Sequence, residues 1–263
     1  MKSFILTTAF IVAASATVSA KTNTTKVLAN GYPYSQVPFT NVNLAHNSFW
    51  GARLQAAREV TVPLAFSKCE SEHRYKNFDM AAYTLKHPGH PGLKTPEWDV
   101  AKIMGLSFDD TDVYKTIEGA SYILQTYPDK KLKAYIDSVL NIVAAAQEPD
   151  GYLYTARTIN PEHPHGWSGK KRWEKEEDLS HELYNLGHMV DAACAHYQAT
   201  GSHKFLDIAR RYADCVCREV GSGSGQTTIV PGHQIAEMAL ARLYTLTGEK
   251  RYLDEAKYLL DFR

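Results

Sequence analysis

Apolar positions recur at intervals of three and four through most of the chain after residue 53, in segments 59–69, 112–126, 131–147, 179–200, 204–220, 234–246 and 251–262. That spacing gives a helix one apolar face. No strong period-two run competes with it, so the fold class is all-α. Short turn signals separate the helices: Tyr127-Pro128-Asp129, Thr200-Gly201-Ser202 and Thr247-Gly248-Glu249. Glycine there suits a helix C-cap, and Asp or Ser the N-cap of the next helix. Turns this short join antiparallel helical hairpins.

Two of the hairpins match along their length. Gly187-His188-Met189, Tyr197, Thr200-Gly201 and Lys204-Phe205-Leu206-Asp207 align with Gly232-His233-Gln234, Tyr244, Thr247-Gly248 and Arg251-Tyr252-Leu253-Asp254. A weaker third copy runs through Ile117-Glu118-Gly119-Ala120 and Asp129-Lys130-Lys131-Leu132. A two-helix unit of about 45 residues marks either an open helical solenoid or a closed α/α toroid. Solenoids usually carry protein ligands, whereas toroids often hold a small ligand in a central funnel.

The loops favour the toroid. Segment 149–178 is a long insertion in an otherwise tight array, and it carries Asp150-Gly151-Tyr152-Leu153-Tyr154, His163, His165, Trp167 and Arg172-Trp173. Long loops of compact helical domains are usually functional. Aromatic faces cover the apolar side of a sugar while charged and amide groups bind its hydroxyls, so this mixture fits a carbohydrate site or, failing that, a structured rim without a ligand. Asp150, Tyr152 and Trp173 are its candidate substrate contacts. A second long loop, 84–110, is less aromatic, with Trp98 as its main anchor. The repeat gives His188 and His233 one shared address, each after a Gly at the start of its helix. Two histidines converging on a funnel bind sugar hydroxyls, titrate or hold a metal; as packing residues they do none of these.

Residues 1–20 read as a cleavable signal peptide. Lys2 supplies the positive end, 4–14 the apolar stretch and Val18-Ser19-Ala20 the small-x-small cleavage pattern. The alternative is an uncleaved anchor, although the apolar run is shorter than the roughly 20 residues that span a bilayer. The expected location is the periplasm or the exterior, with no membrane span after cleavage near Ala20. Residues 21–48, rich in Asn, Thr, Pro and Gly, form an extended lead-in over the surface of the domain at 49–263.

Charge is balanced at 29 basic and 29 acidic side chains, with 44% hydrophobic residues. This excludes disorder and the usual basic nucleic-acid binder, and moves small neutral molecules up among the possible partners. The oligomeric state is not legible. Cys69, Cys194, Cys215 and Cys217 read as buried thiols rather than a metal site. Cys215 and Cys217 point about 200° apart on a helix, and a Cys69–Cys194 pairing stays open. Gly221-Ser222-Gly223-Ser224-Gly225 lacks the Lys-Ser/Thr of a phosphate loop, and no G-x-S-x-G or H-E-x-x-H occurs.

One set of strings runs in order along the chain: Phe49-Trp50 with Arg53, Asn77-Phe78, Asp112-Val113-Tyr114-Lys115 with Glu118-Gly119-Ala120-Ser121-Tyr122, Gln147-Glu148-Pro149-Asp150-Gly151-Tyr152-Leu153, His181-Glu182-Leu183-Tyr184-Asn185-Leu186-Gly187-His188 and Pro231-Gly232-His233-Gln234. Together they resemble the β-L-arabinofuranosidases of glycoside hydrolase family 127 from about residue 40 onward. The resemblance implies a barrel of six α/α hairpins that removes arabinofuranose units from plant-derived glycans. It also implies a retaining mechanism in which a zinc-bound cysteine thiolate is the nucleophile and a glutamate the acid/base. By the same resemblance His188 and His233 belong to the sugar-binding subsite.

None of the four cysteines matches the family's zinc cluster, which with the catalytic glutamate lies well past the Pro-Gly-His-Gln segment. The resemblance therefore puts the catalytic residues beyond Arg263, the last residue of the sequence. No catalytic residue and no bound zinc are expected within the 263 residues, which read as the N-terminal portion of a longer enzyme and as inactive alone. Two rivals remain: a non-catalytic carbohydrate-binding module, and a lyase or unsaturated glucuronyl hydrolase on a related toroid. The latter would bind an acidic sugar through Arg157 and the Lys170-Lys171-Arg172 cluster.

Overall fold

The computed structural model describes residues 36–90 and 102–263. The leader, most of the lead-in and Trp98 lie outside the described residues.

After a short 3-10 turn at Phe39–Asn41, α1 (Phe49–Ala56) opens with Ser48 Oγ accepting from Gly51 N at 3.0 Å. A π-helical turn (Ala57–Thr61) carries it directly into α2 (Val62–Ser71). The helices α3 (Arg74–Lys86), α4 (Asp110–Thr126), α5 (Lys130–Ala145), the single turn α6 (Thr155–Thr158), α7 (Glu182–Thr200), α8 (His203–Glu219), α9 (Ala236–Thr247) and α10 (Lys250–Asp261) follow. The turns behave as their residues require: Gly201 and Gly248 adopt φ of 71° and 75° as C-caps, and the Asp129 carboxylate accepts from Lys131 N and Leu132 N.

The expected helices are present, with ends shifted by up to three residues. The largest shift is at α7, where His181 takes a left-handed conformation (φ 62°) and the helix starts at Glu182 rather than at 179. Helix α3 is additional to the periodicity reading. Its buried positions, Asn77, Phe78, Met80, Ala81, Ala82 and Thr84, wrap most of the helix and include two polar residues. No single apolar stripe therefore marks it.

The hairpins stack in two layers. Helix α7 packs against α4 on one side and α9 on the other, while α8 lies between α5 and α10; α2 adjoins α4, and α3 adjoins α5. Sequence composition follows this division. Outer helices α8 and α10 bury one face and expose charge on the other, whereas α7 is buried on nearly every side, from Leu183 to His196. The result is the two-layer curvature of an α/α toroid, with α2, α4, α7 and α9 on the inner row. Within each pair the inner-to-outer turn is short. The outer-to-inner connections, 87–109, 146–181 and 220–235, are long and all lie at the end where α4, α7 and α9 begin.

Close approach of α7 and α9 depends on Gly187. A Cβ built there would lie 2.6 Å from Ile235 Cγ2 and 2.9 Å from Ala236 N. Gly187→Ala should therefore destabilise the protein by about 1–3 kcal/mol and displace the residues leading into α9. Chemical denaturation of the variant checks the first effect, and His233 ring chemical shifts check the second.

Candidate active site

The N-terminal ends of the inner helices bring together a ring cluster centred on Tyr184. The His188 ring lies 4.5 Å from that of Tyr184 on one side, and His233 lies 4.7 Å away on another. Lys115 from α4 donates to Tyr184 Oη at 2.5 Å, and His181 and Phe108 extend the cluster outward, 4.9 Å apart. His188 sits in the second turn of α7, whereas His233 belongs to the connection before α9, so the two reach one place by different routes.

Burial, with Lys115 and His233 nearby, lowers the His188 pKa to about 4. A neutral imidazole has one donor and one acceptor nitrogen, which suits a hydroxyl. His233 Nδ1 lies 3.2 Å from Gln234 O and His181 Nδ1 lies 2.6 Å from Leu179 O. A carbonyl only accepts, so Nδ1 is the donor in each. The cluster thus offers the neutral His188 ring, two further imidazoles, a phenol and one ammonium group, which pair with the hydroxyls of a polyol.

A buried carboxyl pair holds this arrangement. Glu176 accepts from Glu182 N at 2.7 Å and Leu183 N at 3.1 Å, capping α7, and its own carbonyl accepts from Gly232 N at 3.1 Å, next to His233. Glu182 accepts from Tyr152 Oη at 2.6 Å and Trp173 N at 2.9 Å. Ser180 Oγ lies 2.8 Å from one carboxyl group and 2.9 Å from the other. The hydroxyl thereby bridges the two carboxyl groups. Full burial and mutual repulsion push the pair well above the ordinary carboxylate range, which favours retention of a proton.

The loop residues separate into two groups. Tyr152 and Trp173 are 0% and 2% exposed, and their polar atoms are committed to Glu182 and Glu219. They form the wall behind the cluster and present no open face to a ligand. Asp150 belongs to an ion cluster in which Arg172 spans Asp150 at 2.6 Å, Glu148 at 2.7 Å and Glu219 at 2.8 Å. The structure brings His188 and His233 together on Tyr184, and it commits the polar atoms of the three loop residues to other partners.

Arg263, the residue past which the family resemblance puts the catalytic groups, has a packing role of its own. Its guanidinium donates to Pro231 O at 2.7 Å and lies 3.3 Å from the buried Glu237 carboxylate. It thereby ties the end of α10 to the segment that leads into His233 and α9.

Tyr184, Lys115 and Phe108 were not site candidates on sequence. Tyr184 and Lys115 lie within the family-like strings, and their shared position at inner-helix starts was the available signal. Phe108 carried none: it is placed because buried Asn77 bonds Met104 N and O at 2.8 and 3.0 Å and Arg74 bonds Asp109 and Asp112.

The zinc implied by the resemblance would need a cluster of thiolate, imidazole or carboxylate ligands. Among the described residues one group, Asp150, Cys215 and Glu219, brings three suitable ligand atoms within 4.8 Å of one another. The Arg172 guanidinium already lies among them, 3.9 Å from Cys215 Sγ, and Trp173 Nε1 holds the second Glu219 oxygen at 2.9 Å. Burial and the Glu219 charge push the Cys215 thiol well above its ordinary pKa, whereas a zinc ligand must be a thiolate. These residues do not fit zinc. Cys69, Cys194, Cys215 and Cys217 are free thiols.

The comparisons agree with the fold and the motifs. Residues 41–263 match the family described as Beta-L-arabinofuranosidase, GH127 catalytic domain, and the chain belongs to that family. It is 42% identical over 159 residues to the non-reducing end beta-L-arabinofuranosidase of Bifidobacterium longum subsp. longum, a match covering 60% of this chain and 24% of that protein. Among solved structures, a GH127 beta-arabinofuranosidase is 65% identical with a TM-score of 0.80, covering 89% of this chain and 34% of the other. A GH127 beta-L-arabinofuranosidase from Geobacillus stearothermophilus T6 is 35% identical with a TM-score of 0.73, covering 85% and 33% respectively. The chain thus spans about a quarter to a third of the relatives it matches.

The carboxyl pair gives the stability a sign. With native pKa values above the unfolded ones, native protein retains a proton that the unfolded chain has lost, so stability falls as pH rises from about 5 to about 8. Asp110, buried and pushed up to about 7, acts in the same direction. Calorimetric melting across that range should show a declining Tm, and Glu182→Gln should flatten the decline.

Proposed function

We propose that this chain forms part of the substrate-binding wall of a retaining β-L-arabinofuranosidase and receives the terminal, non-reducing arabinofuranose unit of a glycan. The observation that carries this reading is the convergence of His188, His233, Tyr184 and Lys115 at the inner-helix starts of a GH127-family chain. His188 would bind sugar hydroxyls through a neutral ring and His233 through its imidazole nitrogens. Asp150, Tyr152 and Trp173 would act by holding the rim loop in place. The family's zinc, thiolate nucleophile and acid/base have no assigned residues up to Arg263, so no bond-breaking step is assigned to this chain.

Acidic-sugar chemistry has less support. Arg172 is engaged with three carboxylates, and Arg157 donates to Gly169 O and Lys170 O at 3.3 and 2.7 Å. These two guanidinium groups belong to the set a lyase or glucuronyl hydrolase would use, Arg157 with Lys170, Lys171 and Arg172, and both are already committed within the rim loop. The leader of residues 1–20 would deliver the protein to the periplasm or the exterior, where such glycans occur; among the described residues no helix is long and apolar enough to cross a membrane.

Binding tests the proposal. His188→Ala and His233→Ala should each weaken binding of methyl β-L-arabinofuranoside about 5- to 100-fold by titration calorimetry, the loss expected for one or two hydrogen bonds, with melting temperatures near that of the wild type. Unchanged affinity in both variants would return the histidines to a packing role. In the wild type the His188 ring should titrate near pH 4 by NMR and remain neutral at pH 7.

A further inference from the structure

The rim loop exposes one large aromatic ring on the site face. Tyr152, Tyr154 and Trp173 are fully or almost fully buried, whereas Trp167 is 36% exposed. Its backbone is tightly held. His165 N donates to Ala156 O at 3.0 Å, Trp167 N to His165 Nδ1 at 3.2 Å, Ser168 Oγ to His165 O at 2.8 Å, and Lys175 Nζ to Gly166 O at 2.7 Å. The ring packs nearly parallel to Phe108, with centroids 6.4 Å apart and 25° between planes, and meets His165 edge-on at 5.5 Å. An exposed indole held this rigidly has already lost the freedom that binding would otherwise cost it.

Rings then lead inward without a break. Phe108 is 6.3 Å from Tyr184, which touches His188 at 4.5 Å. Deeper along the inner row the way is taken by charges that satisfy one another. Asp191, less than one turn beyond His188, pairs with Arg242, which also bonds Gln198 at 3.1 Å and lies 3.8 Å from Glu118. Phe39 packs edge-on against Tyr122 at 4.8 Å beyond them. From the His188–His233 cluster the series of rings runs past Phe108 to Trp167, whereas further along the inner row the described side chains are charges paired with one another.

We propose that Trp167, supported by Phe108 and His165, is the stacking platform for the glycan unit that follows the terminal arabinofuranose, a second neutral sugar subsite on the leaving-group side. The inference rests on the terminal-sugar reading above. A furanose presents C–H groups on its faces, and an indole face covers them without demanding a particular hydroxyl pattern. This subsite therefore selects for chain length more than for sugar identity, and the histidine cluster supplies the stricter hydroxyl recognition.

The probes are methyl β-L-arabinofuranoside and an arabinofuranosyl trisaccharide ending in the same unit, titrated calorimetrically and by tryptophan fluorescence. The wild type should bind the trisaccharide more tightly and show quenching with it. Trp167→Ala should leave the methyl glycoside within twofold and weaken the trisaccharide about 5- to 10-fold, the range for one aromatic contact. Trp167→Phe should recover most of the affinity without the quenching signal. Equal losses on both probes, or none on either, would overturn the subsite. Wild-type binding of the methyl glycoside with no gain for the trisaccharide would overturn it as well and leave the terminal site standing. A wild type that binds neither probe would remove both readings.

Discussion

Two carboxyl groups buried against each other at the start of α7 carry the geometry of the candidate site. Glu176 caps the helix that presents Tyr184 and His188, and its carbonyl fixes Gly232 beside His233. Glu182 gathers Tyr152 and Trp173, and with them the rim loop. Burying two carboxylates together would cost several kcal/mol, and a retained proton together with the bonds from Ser180, two helix N–H groups and a phenol offsets that cost. Gly232 reinforces the constraint, because a Cβ there would come within 2.8 Å of Glu176 O.

Around this point, two arginine-centred clusters hold much of the charge. On one side Arg172 neutralises Glu148, Asp150 and Glu219; on the other Arg242 answers Asp191 and Glu118. Between them the His188–Tyr184–His233 cluster is left almost free of net charge apart from Lys115. Such an environment favours hydroxyl recognition over salt-bridge recognition, and burial beside Lys115 and His233 keeps His188 neutral where an exposed histidine would begin to protonate. The tightness of the rim loop follows from the same economy: its aromatic residues are buried as wall, with Trp167 as the exposed exception.

Much of this was legible in the chain. The 3.6-residue periodicity, the Gly-based turns and the repeat across α7–α8 and α9–α10 determined an all-α hairpin array, because those signals act through local backbone geometry and one-sided burial. Helix α3 escaped because it is buried on several faces, so that its pattern has no stripe. The repeat placed His188 and His233 at one end of the array, since the long connections and inner-helix starts follow from connectivity alone. The family strings contained Tyr184 and Lys115 but gave no reason to rank them above Tyr152 or Trp173.

That ranking is a tertiary fact. Aromatic and acidic residues in one loop have the same composition whether they face a ligand or the core. Only packing decides that Tyr152 and Trp173 bond to Glu182, that Arg172 occupies the group formed by Asp150, Cys215 and Glu219, and that Trp167 remains at the surface. The sequence by itself determined the helices, their pairing and the end of the array where chemistry collects, because these depend on neighbours within a few turns. Which side chains meet there was decided by contacts between residues tens of positions apart, whose burial and retained protons no local pattern encodes.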